Sequence, residues 1–389
     1  MHSAAPQMST AVYVHFPWCL QKCPYCDFAS ASIRRTEVPH REYADAVLRE
    51  LAWHAERGGL GELRSVFFGG GTPSLWAAEE LGRVVAGIRG AFGSHAEDVE
   101  ITVECNPSSL DDEKAHGLAE QGVNRLSVGV QALDGDRLRY LGRLHDADGA
   151  LRALQCAQKA VPRVSGDLMF GTPGQPAASF LGEVQRLVDL GLSHLSIYAL
   201  TIEPNTQFGE LHRKGRLTLA KDDDYADTFL AIEELLERGG FNHYEVSNYA
   251  RPGQTSRHNQ HYWQGGDYLG LGCAAVGCIT QRPGLARRVR NQPQPAAYTN
   301  AQSLEALCSE SEDLDGEALV REALLLGLRT EEGVNLKRTA ERAAIDPLKG
   351  RSKALERALS RGNVVIEADH LRVPKQRWLH LDSIVTDLF

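Results

Sequence analysis

The stretch "YVHFPWCLQKCPYCDFAS", Tyr13 to Ser30, decides how the rest of the chain is read. It begins as an apolar, β-type run and turns at Pro17 into a loop with three cysteines, Cys19, Cys23 and Cys26, spaced C-x3-C-x2-C. Asp27 and Phe28 then stand where a fourth thiol would continue the pattern. A structural zinc site wants four protein ligands, usually two pairs from separate turns. A [4Fe–4S] cluster uses one cysteine per iron, so three thiolates on one loop leave one iron open to an exogenous ligand. A small molecule with adjacent amino and carboxylate groups, such as the methionyl end of S-adenosylmethionine, could chelate that iron. A zinc knuckle completed by His15 or a distant cysteine is the alternative.

Outward from this loop, strand-like runs recur: "AVYVHF" (11–16), "RSVFFGGG" (64–71), "DVEITVEC" (98–105), "RLSVGVQ" (125–131), "RVSGDLMFG" (163–171), "HLSIYAL" (194–200) and "HYEVSNYA" (243–250). Between them lie segments of helical apolar spacing such as "AEELGRVVAGIRGAF" and "YADTFLAIEELLERGGF", several ending in Gly before the next strand. Strand and helix alternating six or seven times predicts parallel strands with crossover helices: an α/β fold, a full or partial (β/α) barrel from about Ala11 to Ala250. A doubly wound open sheet is the alternative. Unusual residues gather where each strand finishes: the cysteine loop, Gly69-Gly70-Gly71-Thr72-Pro73, Glu104, Gln131 and Asp167. In parallel α/β folds those carboxyl ends form the active face, so these groups converge on one mouth. The glycines let backbone approach a ligand closely.

With 389 residues, 42% hydrophobic and 24% charged, the chain suits one large domain and a small one. A net charge of −9 argues against a surface built for nucleic acid or an anionic membrane. The N-terminus has no secretory pattern, and no run approaches ~18 apolar residues, so a cytoplasmic protein is expected. Cys105, Cys156, Cys273, Cys278 and Cys308 are scattered and read as small buried hydrophobes.

Taken together, "CLQKCPYC" after "YVHFPW", the "GGGTP", the "VECNP", the "SVGVQALD…LGRLHD" and the "DLMFGTPGQ" resemble the radical S-adenosylmethionine superfamily. More narrowly they resemble its branch of oxygen-independent coproporphyrinogen III dehydrogenase (HemN) and the haem chaperones (HemW). The resemblance runs from about Val12 to the C-terminus. It implies a radical SAM barrel over residues 11–305 and a small winged-helix-like α+β domain over 315–389. It also implies that Cys19, Cys23 and Cys26 ligate a [4Fe–4S] cluster. Tyr13, Tyr25, Gly70, Gly71, Thr72, Glu104, Gln131, Arg143, Asp167 and Ala199 match positions that contact S-adenosylmethionine.

Departures choose between the two relatives. The decarboxylating enzyme continues its motif to a fourth cysteine where this chain has Phe28, and carries a long segment ahead of the cluster, where here about a dozen residues precede the first strand. "RHNQHYWQGGDYLGLGCAA" (257–275), a Gly-rich loop by composition, contains "HNQHYW", similar to the HNxxYW signature of the chaperones. A neutral imidazole is a good axial ligand for haem iron, making His258 the first candidate for haem contact and His261 the second. Arg251, Arg257, Arg287, Arg288 and Arg290 are candidates to pair with propionates.

The acidic "CSESEDLDGE" (308–317) reads as a linker or helix lead-in, followed by helical patterns and a short hairpin, "NVVIEADHLRVP". Residues 315–389 hold 13 Lys+Arg against 12 Asp+Glu, too even for a phosphate-tracking face. The expectation is therefore a haem-delivering protein with haem as cargo, an unidentified acceptor protein as partner, no nucleic acid, and any membrane association made through the acceptor. Radical decarboxylation of a porphyrinogen is the enzyme alternative, and a zinc-stabilised nucleic-acid binder the third.

Overall fold

The computed structural model describes residues 9–388. Six parallel strands carry the barrel: β1 (Ser9–Phe16), β2 (Glu62–Gly70), β3 (Ser94–Cys105), β4 (Arg125–Gln131), β5 (Arg163–Phe170) and β6 (His194–Ala199). They pair in chain order, each parallel to the next. Near-continuous burial in their central residues explains the uninterrupted apolar runs, as expected for a sheet covered on both faces. The crossovers include helices α1 (His40–Arg57), α2 (Ala78–Ala91), α3 (Asp112–Glu120), α4 (Ala147–Ala160), α5 (Ala177–Asp189) and α6 (Asp222–Arg238). One core joins their inner faces to the sheet, with Val14, Phe16, Phe68, Trp76, Ile101, Leu126 and Phe180 closed off from solvent.

The flanks of this barrel depart from the sequence reading. "HYEVSNYA" does not extend the sheet as a parallel neighbour of β6: it folds as two short strands, β7 (Asn242–Glu245) and β8 (Asn248–Ala250), of which β8 pairs antiparallel with both β6 and β7. The seventh parallel strand lies on the other side of β1 and is β9 (Asp267–Gly272), from the stretch that composition marks as a loop. Its glycines are packing requirements: a Cβ on Gly270 would stand 2.3 Å from the Val276 carbonyl oxygen. Before it, "RHNQHYW" forms a short helix of about two turns, α7 (Arg257–Trp263), capped by Ser256.

Beyond β9 the sheet continues antiparallel through β10 (Val276–Arg282), β11 (Leu285–Asn291) and β12 (Cys308–Asp315). The full order is β12-β11-β10-β9-β1-β2-β3-β4-β5-β6-β8-β7, an open barrel wall of 12 strands with two edges. The acidic stretch expected to be a linker is therefore the edge strand β12. Only Leu314 of it is buried, and ion pairs hold the rest: Arg287 with Asp313, Arg288 with Glu312, Arg290 with Glu310.

The C-terminal residues form helix α8 (Gly316–Gly327), further helices at Leu336–Ala343, Ser352–Ser360 and Leu381–Thr386, and a three-stranded sheet of Val334–Asn335, His370–Arg372 and Val365–Glu367. Their core, around Leu319, Val320, Leu324, Leu371 and Trp378, extends into Cys278, Ala286 and Leu314 of the antiparallel strands. Among the described residues no helix is long and apolar enough to cross a membrane.

Candidate functional site

The cysteine loop leaves β1 at Pro17 and is pinned at its ends, where Trp18–Cys19 pairs in parallel with Ala31–Ser32. Cys19, Cys23 and Cys26 are free thiols, each half-buried, and all three line a pocket of about 290 Å³ at the carboxyl ends of the strands. Burial raises the Cys19 thiol, and raises Cys26 to about 11. A cation at the site is thus needed to keep these thiolates ionised at neutral pH. Arg143 supplies part of it, donating from Nη1 to Cys23 Sγ at 3.5 Å and from Nη2 to the Gly129 carbonyl at 2.8 Å. Among the described residues no three His, Cys, Asp or Glu side chains are grouped to hold a single metal ion. A mononuclear zinc needs its sulfurs about 3.8 Å apart, from tetrahedral bonds of about 2.3 Å. A cluster, in which each cysteine takes a different iron, needs them further apart.

The same pocket is lined by Tyr25, Gly70, Gly71, Thr72, Glu104, Gln131, Arg143 and Asp167, so eight of the ten expected S-adenosylmethionine contacts meet the cysteines. Tyr13 lines the adjoining cavity instead, and Ala199 faces a third one beside Phe170 and Tyr225. The backbone here is built for close approach. Gly70 has φ +104, and a Cβ on Gly71 would stand 2.6 Å from the Trp18 carbonyl oxygen. Gln131 holds a left-handed φ of 67 at a register shift against β5, a strained turn that re-aims its side chain. Its Oε1 and the Nε of Arg143 are buried without partners, an orphan acceptor and an orphan donor of the kind that amino and carboxylate groups satisfy. The residues present therefore fit a three-thiolate cluster with S-adenosylmethionine.

Two carboxyl groups sit deeper. Burial, and then the Asp167 charge, push the Glu104 carboxyl up to about 8; it accepts a hydrogen bond from the Gly70 N–H at 3.2 Å. Asp167 is raised by burial although Ser127 and Ser165 donate to it at 3.1 Å.

Phe28, Gly70, Glu104 and Tyr198 also line a second, larger cavity of about 720 Å³, so the two spaces adjoin across a shared wall. His258 lines it. Burial lowers this imidazole to about 3, so it is neutral. Its Nδ1 lies 2.9 Å from Ser65 Oγ, and Phe67 stacks on the ring at 5.0 Å between centroids. The start of α7 is tied down by Glu100, which accepts from the backbone N–H of His258 at 3.0 Å and of Arg257 at 3.1 Å, and pairs with Arg163 at 2.5 Å. Burial alone would raise Glu100; Arg125, Arg163 and the His258 and Arg257 N–H bonds together outweigh it and hold the carboxylate below its ordinary value.

His261 is placed differently. Its Nε2 donates to the Asp267 carbonyl at 2.8 Å, and it does not line the cavity. His15 does, but both nitrogens are used: Nε2 donates to the Ala29 carbonyl at 2.9 Å, so Nδ1 accepts from the Tyr13 hydroxyl at 3.0 Å. Of the five candidate arginines only Arg288 and Arg290 reach the cavity. Arg251 lies over Phe241, Arg257 pairs with Asp98, and Arg287 pairs with Asp313.

Sequence reasoning missed Tyr198, which lines both spaces, and Glu322, Leu325 and Leu326 of α8, which wall the larger one. The last three stand at i, i+3 and i+4, a helical face whose Leu325 is exposed, which was the available signal.

Comparison with known proteins agrees with this architecture. Residues 13–187 match the family described as Radical SAM superfamily, and residues 314–380 match the HemN C-terminal domain. The Heme chaperone HemW of Escherichia coli (strain K12) is 38% identical over 298 residues, covering 76% of this chain and 77% of that one. The Heme chaperone HemW of Synechocystis sp. is 36% identical over 346 residues, covering 86% and 81%. The solved structure of coproporphyrinogen III oxidase (HemN) from Escherichia coli superposes with a TM-score of 0.81 at 20% identity, over 99% of this chain and 91% of that one, which establishes the shared fold. An open radical SAM barrel, a three-thiolate pocket and this degree of identity lead to one conclusion: the chain belongs to the heme chaperone HemW family of the radical SAM superfamily.

Proposed function

We propose that this protein binds haem in the cavity beside His258 and passes it to an acceptor protein, on a scaffold that also holds a [4Fe–4S] cluster and S-adenosylmethionine. One observation carries the reading: a cavity of about 720 Å³ adjoins the three-thiolate pocket, sharing Phe28, Gly70, Glu104 and Tyr198 as walls, and is lined by a neutral imidazole with a single engaged nitrogen. That volume is in the range of ligand sites, and its aromatic lining suits a flat macrocycle. With Ser65 accepting the Nδ1 proton, Nε2 of His258 carries the lone pair an axial ligand needs. Phe28, Tyr198, Tyr262 and Leu325 are exposed apolar groups on the same cavity. Cargo held there stays within reach of a partner.

Cys19, Cys23 and Cys26 would ligate the cluster, and Tyr25, Gly70, Gly71, Thr72, Glu104, Gln131, Arg143 and Asp167 would seat S-adenosylmethionine. When bound, the cluster supplies an iron with an open position for the amino and carboxylate groups of that cofactor. The chain's own residues position it: Gly71 lets backbone approach, Arg143 offsets thiolate charge, and Gln131 offers a free acceptor.

The shared wall of the two spaces also favours a second reading, porphyrinogen decarboxylation, because a substrate in the cavity would lie beside the cofactor pocket. Phe28, in place of the decarboxylase's further cysteine, weighs against it. Anaerobic incubation of the reconstituted protein with coproporphyrinogen III, S-adenosylmethionine and reductant decides. The chaperone reading expects no protoporphyrinogen, and transfer of haem from the loaded protein to an apo-acceptor; product formation would replace that reading.

A further inference from the structure

The large cavity is aromatic and aliphatic over most of its wall, and its arginines, Arg288 and Arg290, come from the one strand β11. Two residues apart, they share a face of the sheet. Their partners differ. Arg288 is matched twice, by Glu312 at 3.2 Å and by Glu322 of α8 at 2.6 Å. Arg287, on the opposite face, is saturated by Asp313 at 2.7 and 3.0 Å. Among the described residues Arg290 is paired only with Glu310, a carboxylate whose side chain is 72% exposed and which stands at 3.8 Å, beyond hydrogen-bond range. The Nε of Arg290 is enclosed and finds no acceptor among the described residues. A guanidinium whose Nε–H is sheltered and idle presents the planar fork that takes a carboxylate side-on, and an uncompensated buried donor costs stability until something fills it.

We propose that Arg290 is a carboxylate-binding subsite of this cavity, receiving an acid group at the edge of a flat apolar ligand. The assignment rests on the haem reading above and identifies the group as a haem propionate. Arg288 acts differently, because its pairing with Glu322 holds α8 against β11 and so fixes the cavity wall. The cavity thus has a metal-facing element, His258 on α7, and an edge-facing element, Arg290 on β11, and together they set how the macrocycle is turned.

Absorbance titration of the full, anaerobically reconstituted chain with haemin and with haemin dimethyl ester, whose acid groups are capped, tests this. Wild type is expected to bind haemin roughly tenfold more tightly than the ester, the size of one charge-assisted hydrogen bond. Arg290→Met should erase that preference by weakening haemin alone, Arg290→Lys should recover part of it, and Arg287→Met should leave it intact. An Arg290→Met protein weakened equally for both ligands, or a wild type that does not discriminate them, overturns the subsite. A haemin complex that survives His258→Ala yet still depends on Arg290 overturns the axial role of His258 and keeps the carboxylate subsite, so the two failures are distinct.

Discussion

Ser65 Oγ lies 2.9 Å from Nδ1 of His258, 193 residues away in the chain, and both residues are buried. The contact joins β2, whose carboxyl end carries the Gly70-Gly71 turn of the cofactor pocket, to α7, which presents the imidazole. One side of the imidazole is thereby committed to the protein, and its tautomer follows from which way the serine hydroxyl points.

Replacing Ser65 with Ala removes that choice. Loss of a hydrogen-bond partner behind a ligating histidine typically costs about tenfold or more in metal affinity, so Ser65→Ala should weaken haemin binding by about tenfold while keeping a histidine-type Soret band. Stability should fall by about 1 kcal/mol. Haemin titration and urea unfolding measure the two effects separately.

The three-thiolate loop predicts an all-or-none dependence on its cysteines. Cys19→Ser, Cys23→Ser or Cys26→Ser should each deprive the reconstituted protein of most of its iron and acid-labile sulfide. Cys156→Ser, on α4 and away from the pocket, should keep both. Iron and sulfide analysis of the four variants checks this, and a full complement in Cys23→Ser would mean another ligand set.

Gly71 should tolerate no side chain. A Cβ there would meet the Trp18 and Phe16 carbonyl oxygens at 2.6 and 2.8 Å, both backbone atoms that cannot swing aside. Overpacking of this kind costs about 1–3 kcal/mol. Gly71→Ala should therefore lower the melting temperature and the yield of reconstituted cluster together, whereas Gly90→Ala, inside helix α2 where nothing lies within 4 Å, should lower neither.

Glu104 makes the fold sensitive to rising pH. Its carboxyl titrates at about 8 in the folded chain against an ordinary 4.5, burial being the main cause. Between those values the folded protein keeps a proton that the unfolded chain has released, so stability falls as pH rises from about 5 to 8. Glu104→Gln, which stays neutral, should gain stability relative to wild type across that window and lose the advantage near pH 5. Thermal melts of the apoprotein at pH 5, 6.5 and 8 read the crossing; a gap that does not change with pH would contradict the assignment.

The barrel strands were legible because a sheet covered on both faces writes itself as unbroken apolar runs, and their unusual residues fall at the carboxyl ends where backbone conformation and ligand access demand them. Three other elements were not. The β7 and β8 strands look like one run because the two residues of their turn, Val246 and Ser247, do not break the pattern. β9 looks like a loop because Gly270 and Gly272 are there to admit neighbouring backbone, which lies 2.3 and 2.4 Å from where their Cβ atoms would be. The acidic β12 has no alternating apolar face at all, and its strand character exists only in register with Arg287, Arg288 and Arg290. Of the candidate site, the eight residues expected to seat S-adenosylmethionine that gather in the cysteine pocket, and His258 in the neighbouring cavity, were named from local motifs. The choice of Arg290 among five arginines was not, since it depends on which cavity-lining guanidinium has no carboxylate within hydrogen-bond range.

Haem held through His258, in the cavity that adjoins the cluster pocket, is what everything above converges on. Haemin titration of the reconstituted full chain, wild type against His258→Ala, followed in the Soret region, probes that ligation without an intermediary. Ligation by His258 predicts a saturable band at one haemin per chain in wild type, with loss of its histidine-ligated shape and about tenfold or greater weakening in the variant. An identical band and affinity in His258→Ala would contradict it.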